Sequence, residues 1–294
     1  MIASDFSTYL NSQKIFVSDG ATGTNLQRQG LPVGMAPENW VLEKPEEITA
    51  LQKMFIENGS DIILTCTFGG NRIRLEHSGL ADQAELINRK AVEISRSVSE
   101  GKSVMVAGSM GPTGEMMEPF GKLDEKSAFD LYLQQANFLV DGGVDLLIVE
   151  TQFDLVEAQT AIRAIRSFSD IALICSFSYD RGKRTMMGVK PQQVIEALSS
   201  SGIQAIGVNC GKGLDTNFEV LKELNSLTDL PIWFKPNAGA PETDGLGSIH
   251  YHITPEEMGE QAVQWVENGA KFVGGCCGTS PEHLGAIARN INKF

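Results

Sequence analysis

Asp141-Gly142-Gly143-Val144-Asp145-Leu146-Leu147-Ile148-Val149-Glu150 holds a helix end, a short connection and an apolar strand that stops at a carboxylate. Glycine closes helices because it accepts the left-handed backbone conformation. The run Leu146 to Val149 shows no polar alternation, as expected of a strand covered on both faces in a parallel sheet. The arrangement recurs three times. Glu57-Asn58-Gly59-Ser60-Asp61 precedes Ile62-Ile63-Leu64-Thr65, Ser201-Gly202-Ile203-Gln204-Ala205 precedes Ile206-Gly207-Val208-Asn209, and Glu267-Asn268-Gly269-Ala270-Lys271 precedes Phe272-Val273-Gly274-Gly275. Four further apolar runs, at Ile15-Phe16-Val17, Val104 to Ala107, Ile171 to Cys175 and Pro231 to Phe234, bring the strand candidates to eight. Amphipathic stretches separate most of them: Pro45 to Asn58, Ala81 to Ser99, Ser127 to Val140, Leu155 to Arg166, Pro191 to Ser200, Thr216 to Leu227 and Pro255 to Glu267. Eight alternating units predict an α/β fold, a TIM (β/α)8 barrel, with residues 1–294 as one domain. An open, doubly wound sheet is the alternative.

Composition narrows the partners. The chain has 294 residues and a net charge of −13, with no basic run. That balance argues against nucleic acid and anionic membranes, whose phosphates call for clustered Lys and Arg. No stretch approaches a membrane span, and Met1 to Lys14 carries no apolar or Arg-rich targeting pattern. Five cysteines form no even disulfide framework and fit metal or catalytic use in a reducing cytoplasm.

The predicted strands end in polar groups: Asp19, Thr65 and Thr67, Ser109, Glu150, Ser176 and Ser178, Asn209 with Cys210, Asn237, and Cys276 with Cys277. A barrel gathers these at its C-terminal face, where the loops Met110 to Glu125 and Ala238 to Thr254 can cover the mouth. Three thiolates can hold one Zn²⁺ and leave its fourth position open, the mark of a catalytic zinc. Cys210 and the adjacent pair Cys276-Cys277 form no finger or ribbon, so a folded scaffold has to bring them together. The plainer readings are buried thiols packed as small hydrophobes, or a redox-sensing pair. Cys66 and Cys175 read as core residues. Asp19-Gly20-Ala21-Thr22-Gly23-Thr24 is a Gly-rich turn that lacks a dinucleotide fingerprint. A carboxylate such as Glu150 rarely points into an apolar core, so Asp19 and Glu150, with hydroxyls such as Thr67, suit the ammonium end of a small zwitterion. Gly111-Pro112-Thr113-Gly114 matches a phosphate-cradling turn poorly. His250 and His252 read as surface residues. Lys235 is either a mouth-lining charge or the Schiff-base lysine of a barrel lyase.

Taken together, these residues make the chain resemble the homocysteine S-methyltransferase family, and most of all the homocysteine-binding module of cobalamin-dependent methionine synthases. The motifs are Asp19 to Thr24, Thr65-Cys66-Thr67-Phe68, Gly111 to Gly114, Glu150-Thr151, Gly207-Val208-Asn209-Cys210, Pro236-Asn237-Ala238-Gly239 and Gly274-Gly275-Cys276-Cys277-Gly278-Thr279. The resemblance implies a TIM barrel and one Zn²⁺ per chain on Cys210, Cys276 and Cys277. It also implies homocysteine bound through its thiol, with Asp19, Thr67 and Glu150 beside the amino acid. Three thiolates with Zn²⁺ leave a charge of −1, and a substrate thiolate makes it −2, which keeps sulfur nucleophilic; a zinc-bound thiol is deprotonated outright. In-line attack on an activated methyl then gives methionine. Related modules take the methyl group from methylcobalamin, S-methylmethionine, S-adenosylmethionine or betaine. With its end at Phe294 the chain is expected to lack folate and cobalamin modules, so the expected donor is methylcobalamin on a separate corrinoid protein, with a small free donor as the alternative. A betaine-type donor calls for an aromatic cage, for which Tyr179, Trp233 and Tyr251 are scattered candidates.

Overall fold

The computed structural model describes residues 6, 9–10, 12–243 and 249–291. Its strands are β1 Phe16–Val17, β2 Ile62–Leu64, β3 Met105–Met110, β4 Leu146–Gln152, β5 Ala172–Phe177, β6 Ala205–Cys210, β7 Ile232–Pro236, β8 Glu242–Thr243, β9 Ile249–His250 and β10 Ala270–Val273. Eight of them form one sheet in the order β1-β10-β7-β6-β5-β4-β3-β2, and every pairing in it is parallel. A parallel bridge from Ser18 to Ile62 and a 2.7 Å hydrogen bond from Asp61 N to Val17 O join β1 to β2. The sheet thus closes on itself as the expected (β/α)8 barrel. β8 and β9 form an antiparallel hairpin in the connection from β7 to β10. Residues 244–248 of that expected mouth loop lie outside the described residues.

The recurring Gly motif explains how strands begin. Gly59, Gly143, Gly202 and Gly269 all have φ between +81° and +99°, a left-handed conformation that would strain any side chain. In three of the four repeats, the polar residue two positions later becomes a rung of the ladder. Asp61 accepts from Val17 N at 3.0 Å, Asp145 from Val106 N at 2.7 Å and Gln204 from Leu173 N at 2.7 Å. Each side chain satisfies a strand-end donor that would otherwise be orphaned.

Alternation along the strands separates two apolar layers. Phe16, Ile62, Leu64, Met105, Ala107, Leu146, Ile148, Ala172, Ile174, Ala205, Trp233 and Phe272 fill the barrel interior. Residues of the opposite parity, such as Val17, Val106, Leu147, Leu173, Ile206 and Phe234, pack outward against the helices. Cys66 and Cys175 belong to this outer layer, as core residues should.

Helices Pro45–Glu57, Ala84–Ser99, Glu125–Gly142, Leu155–Arg166, Pro191–Leu198, Leu214–Leu227 and Pro255–Glu267 fall on the amphipathic stretches. Thr22–Arg28, Asn39–Glu43, Arg72–Glu76 and Pro281–Ile291 are helices that the sequence pattern does not mark. The first three are too short for a helical period to show. The last is mostly buried and shows solvent only a narrow polar face at Glu282 and Arg289. No helix among the described residues is long and apolar enough to cross a membrane.

Gly207 occupies an interior position of β6, where a β-carbon would lie 2.0 Å from Trp233 O on β7. Gly207→Ala has to separate the two strands. It is expected to lower unfolding free energy by more than about 3 kcal/mol in urea titration, beyond ordinary overpacking.

Candidate active site at the barrel mouth

The interior parity of β3 to β7 continues upward into polar residues. Ser109, Glu150, Ser176, Asn209 and Lys235 follow the interior apolar positions of their own strands, and all are buried. With Asp19, just beyond β1, they form the floor of the mouth. Lys235 Nζ lies 2.7 Å from Asp19 Oδ1, and Leu64 N donates to Asp19 Oδ2 at 2.7 Å. Both oxygens of Asp19 are therefore engaged. Ser109 Oγ donates to Glu150 Oε1 at 2.5 Å, and no described residue bonds Glu150 Oε2. Thr67 is also committed internally, donating to Ser109 O at 2.7 Å and sharing a 2.6 Å contact with Thr65 Oγ1. Thr67 and Asp19, both expected beside a ligand, stand at the mouth and also bond their neighbours there, and Glu150 has the oxygen that no described residue bonds.

Charge on the floor is set by burial and proximity. Burial raises the pKa of Glu150, while Lys235 and the Ser109 hydroxyl pull it back. Burial disfavours the Lys235 ammonium, but Asp19 and Glu150 outweigh that and raise its pKa. Lys235 is therefore held as an ammonium, whereas a Schiff-base lysine needs a free amine.

The sulfurs stand on one wall. Cys210 closes β6, and Cys276-Cys277 follows β10 through Gly274-Gly275. A β-carbon on Gly274 would meet Ser18 Oγ at 2.2 Å, and one on Gly275 would meet Thr279 Cγ2 at 2.4 Å, so glycine is needed for the pair to turn inward. Cys276 N donates to Pro236 O at 2.8 Å and Ala238 N to Cys277 O at 2.9 Å, which pins the pair to the end of β7. The first-strand turn is fastened to the same segment. Ala21 N donates to Thr279 Oγ1 and Gly278 N to Thr24 Oγ1, each at 3.2 Å.

The three Sγ atoms lie within 4.8 Å of one another. A tetrahedral Zn–S distance of about 2.3 Å places bound sulfurs about 3.8 Å apart, so the set fits one ion after a shift of an ångström or less. Protonation tells the same story. The Cys276 hydrogen bond favours the Cys210 thiolate, but Cys277 and burial outweigh it and leave Cys210 at about 12. The Cys210 hydrogen bond favours the Cys277 thiolate, but Cys276 and burial push that thiol up to about 12 as well. Cys276 is raised chiefly by its hydrogen bond to Cys210. Thiols this weakly acidic ionise at neutral pH when a cation joins them.

Three asparagines hold the wall. Asn209 Oδ1 accepts from Ser176 Oγ at 2.6 Å and Thr151 N at 2.9 Å; its Nδ2 donates to Thr151 Oγ1 at 2.7 Å and reaches Cys276 Sγ at 3.9 Å. It thereby fixes Thr151 at φ 60°, a conformation unfavourable for a β-branched residue. Cys210, at φ 59°, is held by Asn217 Nδ2 donating to its carbonyl at 2.5 Å. Asn237 donates to Gly211 O at 2.8 Å and lies close enough to the Cys210 sulfur to favour its thiolate, while its buried Oδ1 has no partner. Tyr251 hydrogen-bonds Cys277, and its ring packs where a β-carbon on Gly278 would stand. These supporting roles escape a sequence reading, because they depend on contacts between residues up to 67 positions apart.

Other sequence candidates settle into structural places. Thr113 of the Gly111 to Gly114 turn is buried, and its N and Oγ1 bond Glu157 at 2.7 and 2.8 Å. His252 is exposed, 3.1 Å from Glu242, and His250 is exposed beside it.

A homocysteine S-methyltransferase family model matches residues 16–291. Methionine synthase from Mycobacterium tuberculosis is 30% identical over 297 residues, covering 95% of this chain and 25% of that protein. Methionine synthase from Mycobacterium leprae is 29% identical, covering 96% of this chain and 25% of that protein. The chain thus spans a quarter of the length of these curated relatives. Among solved structures, the metallated form of the homocysteine methyltransferase MmuM from Escherichia coli superposes with a TM-score of 0.82 at 23% identity, covering 96% of this chain and 98% of that one. At that identity the likeness bears on the fold.

Asn209→Ala removes every hydrogen bond of one buried amide and leaves Thr151 without support. An unfolding free energy lower by about 2–4 kcal/mol is expected in urea titration. Cys276 alkylation in the metal-stripped protein is expected to speed up as well.

Proposed function

Because the chain belongs to the homocysteine S-methyltransferase family, we propose that it moves a methyl group onto the thiol of homocysteine to give methionine, with one Zn²⁺ held by Cys210, Cys276 and Cys277. The observation that carries this reading is the convergence of those three sulfurs within 4.8 Å, at the barrel mouth and close enough to Glu150 for its charge to act on Cys276. The metallated crystal form of the Escherichia coli homocysteine methyltransferase supports the metal assignment. Zinc bound there supplies a Lewis acid that keeps a sulfur ligand ionised at neutral pH. The protein's part is placement. Glu150 Oε2 takes the α-ammonium of the amino acid. Thr67 holds Ser109, and Ser109 holds Glu150, so the carboxylate does not wander. Asp19 acts through Lys235. Asn209 donates toward Cys276 and steadies the wall against which the substrate sulfur lies. A substrate pinned at both ends reacts as one already oriented.

For the methyl donor we propose methylcobalamin carried by a separate corrinoid protein that docks over the mouth. The large exposed apolar side chains Val33, Leu86, Met116, Phe120, Val156, Met186 and Ile249 all lie in, or just after, connections that follow barrel strands. Among the described residues only Phe168 lies in a connection at the other end. Exposed apolar side chains concentrated at the mouth end of the barrel suit a macromolecular donor. A small quaternary-ammonium donor is less favoured, because Trp233 and Tyr179 are fully buried and leave Tyr251 alone at the mouth. The free thiols fit a cytoplasmic setting.

Purified protein is expected to carry about one zinc per chain, a single three-thiolate site. It is expected to form methionine from homocysteine with methylcobalamin faster than with S-methylmethionine, S-adenosylmethionine or betaine. Cys210→Ser should keep its circular dichroism and lose both zinc and activity; full activity in that variant refutes the reading.

Ammonium binding by Glu150 has a pH signature. Its pKa is raised, so the carboxylate takes up a proton, and ceases to hold the ammonium, as pH falls through a value above the usual carboxylate range. The acid limb of kcat/KM should therefore sit above that range and vanish in Glu150→Gln, with KM for homocysteine raised about 10- to 100-fold. An unchanged acid limb in that variant removes Glu150 from ammonium binding.

A further inference from the structure

Lys235 carries more donors than its surroundings use. It follows Trp233 on the interior face of β7, pairs in register with Asn209 of β6, and is 4% exposed. An ammonium has three N–H groups. Among the described residues one of them is taken, by Asp19 Oδ1 at 2.7 Å. The face of Trp233 lies on one side, 5.7 Å from Nζ to the ring centroid. Buried donors are ordinarily matched, so two spare N–H groups on a buried cation at the barrel mouth call for an acceptor from outside the fold. Hydrogen bonds to charged partners are the strong ones, and a carboxylate is the acceptor that best fits a buried ammonium.

The other open polar atom on the floor has the opposite sign. Glu150 Oε2 has no bond from the described residues, and Glu150 lies within electrostatic reach of Lys235. The charge of Asp19 is already matched by Lys235, so the floor offers one unspent anionic oxygen and one cation with spare donors. That pair complements a zwitterion, ammonium to carboxylate and carboxylate to ammonium. A thiol lacking either charge leaves one of the two buried groups unmatched, which is how polar sites reject near-analogues.

We propose that Lys235 binds the α-carboxylate of the amino-acid substrate while Asp19 buttresses it from beneath, so that Lys235 and Glu150 together select an α-amino acid over a simple thiol. This rests on the methyl-transfer reading above for the identity of the substrate and product. It concerns binding alone, and no bond is made or broken at Lys235.

The test is calorimetric and needs no methyl donor. The purified protein is titrated with L-methionine, with methylthiopropylamine, which lacks the carboxylate, and with methylthiobutanoate, which lacks the ammonium. The wild type is expected to bind methionine about 30-fold more tightly than methylthiopropylamine, the scale of a buried charge-assisted contact. Lys235→Met is expected to weaken methionine about 30-fold and to leave methylthiopropylamine within about threefold. Glu150→Gln should spare methylthiobutanoate instead. Lys235→Met strands the buried Asp19 charge, so the doubly neutral variant Asp19→Asn/Lys235→Met is measured beside it, and the same ligand pattern is expected. Equal weakening of methionine and methylthiopropylamine in the Lys235 variants, unweakened methionine binding in them, or no preference for methionine in the wild type overturns the proposal. The methyl-transfer reading fails separately: a protein that shows this pattern but forms no methionine from homocysteine with any donor loses that reading alone.

Discussion

The mouth depends on how closely β6, β7 and β10 can approach one another. Cys210 ends β6 and the cysteine pair follows β10, with β7 lying between them. The sulfurs can share a small space only if both neighbours fold in over the end of β7. Gly207 lets β6 lie against Trp233, and Gly274 N donates to Phe234 O at 3.0 Å on the other side. Cys276 N then reaches Pro236 O, and the chain beyond it is stitched to Ala238. A methyl group at Gly207 would push β6 away from β7, and one at Gly274 would push β10 away from Ser18 at the end of β1. The glycines are therefore the reason that residues 66 positions apart come within 4.8 Å (276 − 210).

That closeness is held under local strain. Thr151 and Cys210 are the non-glycine residues with positive φ among those described, and both stand at strand ends on the mouth. Such conformations cost on the order of 1–3 kcal/mol each and persist where surrounding bonds over-determine them. Asn209 does this for Thr151 through both backbone and hydroxyl, and Asn217 does it for Cys210 through the carbonyl. Asn209 also touches Cys276, so the device that bends one strand end also steadies a sulfur on another. The strain is thus coupled to the position of the candidate ligands, and relieving it would move them.

Much of this was legible in the order of residues, because the barrel obeys two simple periods. Strands covered on both faces read as apolar runs, and before four of the eight a Gly after the preceding helix marks where they begin. The interior parity of β4 runs Leu146, Ile148, Glu150, and that of β7 runs Trp233, Lys235, so the change from apolar to polar along a strand locates the floor. Strand ends moved by a residue or two, since pairing with neighbours sets them rather than local composition. The short helices carried too little period to register, and Pro281–Ile291 exposes only a narrow face at Glu282 and Arg289. What the chain order hides is which polar residues spend their bonds on each other. Asp19 and Thr67 read as mouth residues in one dimension, and the fold adds the bonds they make there, Asp19 with Leu64 N and Lys235 and Thr67 with Ser109.

The floor makes poor sense as a stabilising element. A buried ion pair contributes little net stability, because desolvation offsets most of the attraction, and well-packed apolar residues usually serve as well or better. Here the interior below already shows the apolar solution, in Trp233, Phe16 and Phe272, and it stops one layer short of the mouth. Lys235 and Asp19 match each other, which leaves Glu150 buried with a raised pKa and half of its hydrogen-bonding capacity unused. A fold under selection for stability alone would have extended the apolar column by one more residue per strand. Charged groups kept in that layer, with an open oxygen on one and open N–H groups on another, have their best physical explanation in a ligand that brings the opposite charges with it.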